Sequence, residues 1–278
     1  MGLFKGLVDY HSYLQAHPFY LDLGLEVPQP DLLISKVDRS AFESVDDSKI
    51  LPVSAELDDL IRLHYLITSR KATTVLEFGG GKSSVAIDSA LTYNKAAYID
   101  YVSANMRRSN LFECHSVDNN KNWLELTKKS HNFQNVIFHH CPCHVSTFNS
   151  RVCTYYDGVP NICPDLIYLD GPDQSSPTGS VRGINTNHPD RVPMAADLLA
   201  MEHFLLPGTL IVVDGRTANA RFLKTNFQRN WEHSYFEEYD QHFFELKESP
   251  LGRYNLKQIQ FCLGQDWIDA LSVEKTEP

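Results

Sequence analysis

Three consecutive glycines, Gly79-Gly80-Gly81, follow directly on the apolar run Thr73 to Phe78 and lead into Lys82-Ser83-Ser84, where a helix can start. Without a Cβ the backbone can approach a ligand closely, and the free N–H groups of a helix start attract negative charge. The stretch therefore reads as a cofactor cradle rather than as an ordinary tight turn between a strand and a helix. A phosphate-binding P-loop would need its first glycine at position 76, where Leu76 stands inside the strand. A dinucleotide fingerprint would need a third glycine at position 84, which is Ser84. Glu77, just ahead of the glycines, would repel a pyrophosphate but could accept hydrogen bonds from an ammonium group. The loop prefers a cofactor that carries a cationic amine.

Two further carboxylates, Asp170 and Asp214, end the apolar runs Leu166 to Leu169 and Thr209 to Val213. Ligands of open α/β sheets bind at the carboxyl ends of the strands, so both side chains are expected at one crevice. There they can take a proton from a hydroxyl, or hold a divalent cation such as magnesium or calcium through oxygen ligands. His188, in the polar loop Asp173 to Pro193 with Arg182, Asp190 and Arg191, is a second candidate base, although a single loop histidine is more often simply solvated. A connection of that length is usually functional or disordered. The cluster His139-His140-Cys141-Pro142-Cys143-His144, with Cys153 and Cys163, carries zinc-ligand types but not the spacing of paired Cys-x-x-Cys knuckles.

These residues need a scaffold, and the pattern supplies one. From residue 73 onward, short β-branched or apolar runs alternate with helical stretches, the pattern of parallel βαβ units. The runs are Thr73 to Phe78, Phe112 to Val117, Asn135 to His139, Leu166 to Leu169 and Thr209 to Val213. A helical stretch, Asn219 to Asn230, is followed by His233 to Glu238 and Gln241 to Leu246, parted only by Tyr239 and Asp240, which reads as an antiparallel hairpin at the sheet edge. The expected fold class is α/β: a Rossmann-like, doubly wound sheet of seven strands, mostly parallel with an antiparallel C-terminal hairpin. Ser54 is the expected N-cap of an amphipathic helix carrying Leu57, Leu60, Ile61, His64 and Ile67. Residues 94 to 111 are too many for a simple loop, so a longer helix or an inserted element is expected there. The expected division is an arm or cap at 1–53, a catalytic domain at 54–246 and a tail packing on it at 247–278.

The E-x-G-x-G pattern at Glu77, Gly79 and Gly81 resembles the first motif of the class I, Rossmann-like, S-adenosylmethionine-dependent methyltransferases. Ser116-Val117-Asp118-Asn119-Asn120 resembles the segment whose acidic residue holds the cofactor ribose. Asp165 to Pro172 and Leu206 to Asp214 resemble the fourth strand, and the turn and fifth strand, of that family. Asp118 lies further from Gly81 than the ~20 positions of an uninterrupted unit, while Asp100 falls within that spacing. Asp118 is preferred because Trp123 to Leu126 continues into a helix and Val136 to Phe138 follows as a strand. The resemblance implies S-adenosylmethionine as cofactor, held by Glu77, Gly79, Gly80, Gly81, Ser83, Asp118, Asn119 and Asp170. It places Pro142 and Cys143 in the adenine-flanking loop. It implies methyl transfer, with an oxygen of a small molecule or saccharide as the expected acceptor. Asp170 and Asp214 match the acidic residues of a catechol O-methyltransferase-like branch that binds a divalent cation, but Gly215 departs from the amide ligand often found there. A nucleotide- or NAD-binding Rossmann enzyme, and a non-catalytic binding module on the same fold, are the alternatives.

Bulk properties agree with a soluble enzyme. The 278 residues are 42% hydrophobic and 22% charged, enough for one well-buried domain. The net charge of −10, without a long acidic run, disfavours nucleic acid as a partner. Gly6 stands where a myristoylation signal wants Ser or Thr, and no stretch reads as a signal peptide or membrane span, so a cytoplasmic protein without a membrane partner is expected. The six cysteines then read as free thiols, and a homo-oligomer is compatible with all of this.

Overall fold

Five apolar runs become parallel strands, the four inner ones covered on both faces and the edge run Val136–His140 only partly buried. In the computed structural model, which describes residues 9–23, 56–188 and 190–274, β1 (Thr74–Phe78) is buried at every position. Beside it lie β2 (Glu113–Asp118) and β3 (Val136–His140). A small antiparallel pair, β4 (Cys143–Phe148) and β5 (Arg151–Tyr156), precedes β6 (Leu166–Leu169) and β7 (Leu210–Asp214). The chain ends its sheet with β8 (Trp231–Phe236) and β9 (Gln241–Leu246). The main sheet runs β3-β2-β1-β6-β7-β9-β8, with the first five strands parallel and β9 antiparallel to both neighbours.

Alternate residues of these strands feed two cores. On one face Val75, Cys114, Leu166, Tyr168, Val212 and Phe243 meet Leu63, Leu66 and Ile67 of α2 (Leu57–Ser69) and Ile87 and Leu91 of α3 (Lys82–Asn105). On the other, Leu76, Phe78, Val117, Ile167, Val213 and Phe244 meet Leu198 of α5 (Asp197–Met201) and Leu223 of α6 (Thr217–Asn226). Each such fully buried side chain contributes about 1.5–3 kcal/mol. The result is helix, sheet and helix in three layers, the doubly wound arrangement expected from the pattern.

The remaining elements fill in around this frame. A short α1 (Tyr10–Ala16) and a 3-10 turn, Phe19–Leu21, pack Leu14, Phe19 and Tyr20 on Leu60, Ile61 and Ala86. Ser54 and the rest of 24–55 lie outside the described residues; the N-cap of α2 is Glu56. Residues 94–105 extend α3 to 24 residues, so Asp100 is exposed on a helix rather than ending a second strand. α4 (Lys121–Ser130) is capped by Asn120, whose Oδ1 accepts from Trp123 N–H at 3.0 Å. At the C-terminal end, α7 (Gly252–Cys262) and α8 (Gln265–Glu274) follow β9, and Asn255 Nδ2 of α7 donates to Pro207 O at 3.3 Å. No helix among the described residues is long and apolar enough to cross a membrane.

Two local expectations are corrected. The helix read to Asn230 stops at Asn226, and β8 begins at Trp231 rather than His233. A 3-10 turn, Glu237–Tyr239, then joins the hairpin through Asp240 in the left-handed region, φ 47°, where a short polar side chain is tolerated. The β4–β5 hairpin was not expected at all. Its two-residue turn, Asn149-Ser150, has φ 46° and 62°, the geometry that suits tight hairpins, and the flanking runs are rich in β-branched and aromatic residues.

Candidate functional site

The order of the sheet makes one crevice. From β1 the chain winds outward to β2 and β3, then returns to β6 on the other side of β1, so the loops after β1 and β6 diverge at a topological switch point. They touch through glycine. Gly79 has φ +89°, and a Cβ there would lie 2.7 Å from Asp170 O; a Cβ on Gly171 would lie 2.9 Å from Gly79 N. Gly79 N–H donates to Val117 O and Asp170 N–H to Phe78 O, each at 2.9 Å, which locks both loops onto the strand ends.

Within the glycine turn, a Cβ on Gly80 would come 2.7 Å from Ser116 Oγ, and Trp123 lies over Gly81 while its indole N–H donates to Gly80 O. Glu77, expected to receive an ammonium, has no exposed surface. Ser83 Oγ donates to its Oε1 at 2.7 Å and Ser84 Oγ to its Oε2 at 2.6 Å. Burial pushes its carboxyl up to about 7, against these hydroxyl hydrogen bonds. Glu77 and Ser83 thus hold the first turn of α3 behind the glycines. Both carboxylate oxygens are engaged by these hydroxyls.

Asp118, at the carboxyl end of β2, is 8% exposed. Its Oδ2 accepts from Gly80 N–H at 3.3 Å and its Oδ1 from Asn120 N–H at 2.7 Å, so it ties the glycine turn to the entry of α4. Burial pushes it up to about 6, with the two backbone N–H groups pulling the other way. Asn119 Oδ1 accepts from Ser176 Oγ at 3.3 Å, which brings the loop after β6 over this corner. Pro142 is exposed, whereas Cys143 is buried in the core with Tyr156 and Phe78. The Tyr156 hydroxyl is buried without a hydrogen-bond partner among the described residues and would meet a Cβ on Gly171 at 2.6 Å, while the buried Ser116 hydroxyl helps to hold the Glu77 carboxyl down. A cradle of bare backbone, an acceptor carboxylate and one unsatisfied hydroxyl fits the nucleoside end of S-adenosylmethionine.

Asp170 and Asp214 do end neighbouring parallel strands, β6 and β7. Asp170 is 50% exposed and its Oδ1 accepts from Arg216 Nε at 3.3 Å. The protein packed around its carboxyl pushes it up to about 7, opposed by the Arg216 charge and aided by Asp214. Asp214 Oδ2 accepts from the Tyr168 hydroxyl and its Oδ1 from Gln241 Nε2 at 3.0 Å. The same Gln241 accepts from Arg62 Nε at 3.2 Å, and burial raises the Asp214 carboxyl. Three of the four carboxylate oxygens of the pair are thus already engaged by protein donors. Among the described residues, the one group of three close acidic or imidazole ligands is Glu56, Asp58 and Asp59, and Arg62 already bonds both aspartates. His188 is half exposed in its loop, Nδ1 accepting from Asp190 N–H at 3.2 Å.

The thiol and imidazole cluster is split by the fold. His139 lies 3.0 Å from His115, His144 pairs with Asp157 at 3.2 Å, and Cys141 donates to Gly158 O at 3.6 Å. Arg216, Tyr168, Gln241 and Tyr156 carry no motif that marks them in the sequence. An arginine just past a strand-end aspartate was the only available signal, and it is a weak one.

No protein-family model matches the chain, and no curated protein matches it in sequence. Among solved structures it is similar to the SAH-bound methyltransferase PaMTH1 of Podospora anserina, at 12% identity over 89% of this chain and 100% of that one, TM-score 0.43. It is similar also to the O-methyltransferase TomG of Streptomyces achromogenes, solved with SAM, at 13% over 86% and 99%, TM-score 0.38. An O-methyltransferase of Bacillus cereus in complex with SAH follows at 11% over 84% and 97%, TM-score 0.35. Likeness this distant assigns no residue roles; the sheet itself makes the classification. Five parallel strands reversing beside β1, a glycine turn after β1, an acid closing β2 and an antiparallel β9–β8 hairpin make up a Rossmann-like, doubly wound α/β sheet.

Proposed function

We propose that this chain transfers a methyl group from S-adenosylmethionine to an oxygen of a small molecule or saccharide. The observation that carries the reading is Asp118 bonded to Gly80 N–H at the switch point, which puts an acceptor carboxylate and side-chain-free backbone against the same space. Asp118 would accept from the ribose hydroxyls, Asn119 would flank the base, and the Gly79 to Gly81 backbone would face the methionine end. When bound, the cofactor supplies a methyl group on a sulfonium, which is open to in-line displacement. The protein must then align the acceptor and remove its proton. Asp170, half exposed at the end of β6 with its carboxyl raised above the usual carboxylate range, would take that proton, and Arg216 would hold it in orientation. Asp214 is braced by Tyr168 and Gln241 and shapes the neighbouring wall.

Calorimetry with S-adenosylhomocysteine and with NAD tests the reading. We expect S-adenosylhomocysteine to bind and NAD not to. Asp118→Ala should weaken that binding by about 1–3 kcal/mol, the usual loss for a buried polar contact to a ligand. Binding of NAD in place of S-adenosylhomocysteine would move the chain to the nucleotide enzymes. Turnover on a panel of hydroxyl acceptors separates an enzyme from a binding module.

A further inference from the structure

A divalent cation at the ends of β6 and β7 would need carboxylate oxygens free to approach within about 2.0–2.6 Å. The cation found beside Asp170 is instead a guanidinium. Arg216 is 12% exposed, and its Nε donates to Asp170 Oδ1 at 3.3 Å. Its Nη2 donates to Asp170 O at 2.6 Å and its Nη1 to Pro172 O at 2.9 Å. One side chain from the loop after β7 therefore grips both the carboxylate and the backbone of the loop after β6. The planar fork of donors suits this, where a point charge would not.

Asp214 is closed off from its other side. Tyr168 and Gln241 occupy its two oxygens, and Arg62, buried in α2, stands behind Gln241. An added ion would have to displace these donors from Asp214. Gly215, φ +57°, turns the chain so that the residue after it reaches back across the crevice, and it offers no ligand atom of its own.

We propose that Arg216 is the resident cation of this edge, occupying the place a divalent ion would need, so that the Asp170 and Asp214 pair works without metal. The inference concerns the methyl-transfer site proposed above, but its test does not depend on that reading. Manganese(II) titration of the full chain, followed by electron paramagnetic resonance, reads the site directly. The wild type should leave the free-ion signal unchanged, and chelator should alter neither its melting temperature nor its affinity for S-adenosylhomocysteine. Arg216→Ala should gain one bound manganese ion, lost again when Asp170→Asn is added. A wild type that binds one manganese ion, with binding abolished by Asp170→Asn or Asp214→Asn, overturns the proposal. Manganese binding insensitive to both substitutions lies elsewhere and leaves it standing. Should Arg216→Ala not fold, the wild-type titration with Asp170→Asn decides alone. A chain that binds neither S-adenosylhomocysteine nor manganese fails the methyl-transfer reading and keeps this one.

Discussion

Glu77 shows how a residue of the right type at the right spacing can be spent on the fold. Its carboxylate lies behind the glycine turn with Ser83 and Ser84 as donors, so its first duty is to fasten α3 to β1. The buried carboxyl is raised from 4.5 to about 7, which makes the folded state the better proton binder between those values. The stability it contributes is therefore complete below pH 4.5 and is lost as pH rises through about 7. Glu77→Gln removes the titration. Relative to the wild type, the variant should gain stability as pH rises from 4.5 to 7 and change no further above that window, by at most about 3 kcal/mol. Thermal melts of both proteins at pH 4.5, 6 and 8 check this. A difference independent of pH would mean that folding leaves the Glu77 pKa unchanged.

At the scale of elements, the β4–β5 hairpin is the piece that the fold adds to a simple βαβ alternation. It brings Tyr156 against Gly171 and buries Cys143 and Cys153 on α5, so it walls one side of the crevice. Its turn is strained at Ser150, whose φ of 62° is a conformation that glycine adopts without cost. Ser150→Gly should raise stability by about 1 kcal/mol, the order of the left-handed penalty for a residue with a Cβ. A rise in the urea midpoint, at unchanged S-adenosylhomocysteine affinity, is the expected result. A fall would show that Ser150 makes contacts beyond its turn.

For the whole molecule, the decisive feature is the contact between the loops after β1 and β6. Gly79 has both a positive φ and a backbone oxygen where its Cβ would be, so Gly79→Ala must push Asp170 and Gly171 away. Because Asp170 is also gripped by Arg216, the displacement should reach the end of β7. We expect the melting temperature to fall by several degrees, with a loss of about 2 kcal/mol or more, and S-adenosylhomocysteine affinity to fall with it. Normal affinity in a folded Gly79→Ala protein would mean that the switch point is not the binding crevice.

Much of this was legible in the residues alone. The parallel strands stand out because they are short apolar runs bounded by turn chemistry, and the choice of Asp118 over Asp100 follows from the helix and strand that come after it. Those are local signals, carried by neighbours in the chain. The β4–β5 hairpin was hidden because its Asn-Ser turn is a weak version of the Asn-Gly signal and its histidines and cysteines suggested ligands instead. The side-chain partners were hidden for a different reason. Ser83 and Ser84 bond Glu77 from within the same unit, but Arg216 reaches Asp170, and Gln241 links Asp214 to Arg62, across separate strands and helices. Residue types and strand ends by themselves determined that carboxylates gather at one edge of the sheet. Only the tertiary structure decided which side chains meet them there, because Arg216, Tyr168 and Gln241 come from different elements and packing alone brings them to Asp170 and Asp214.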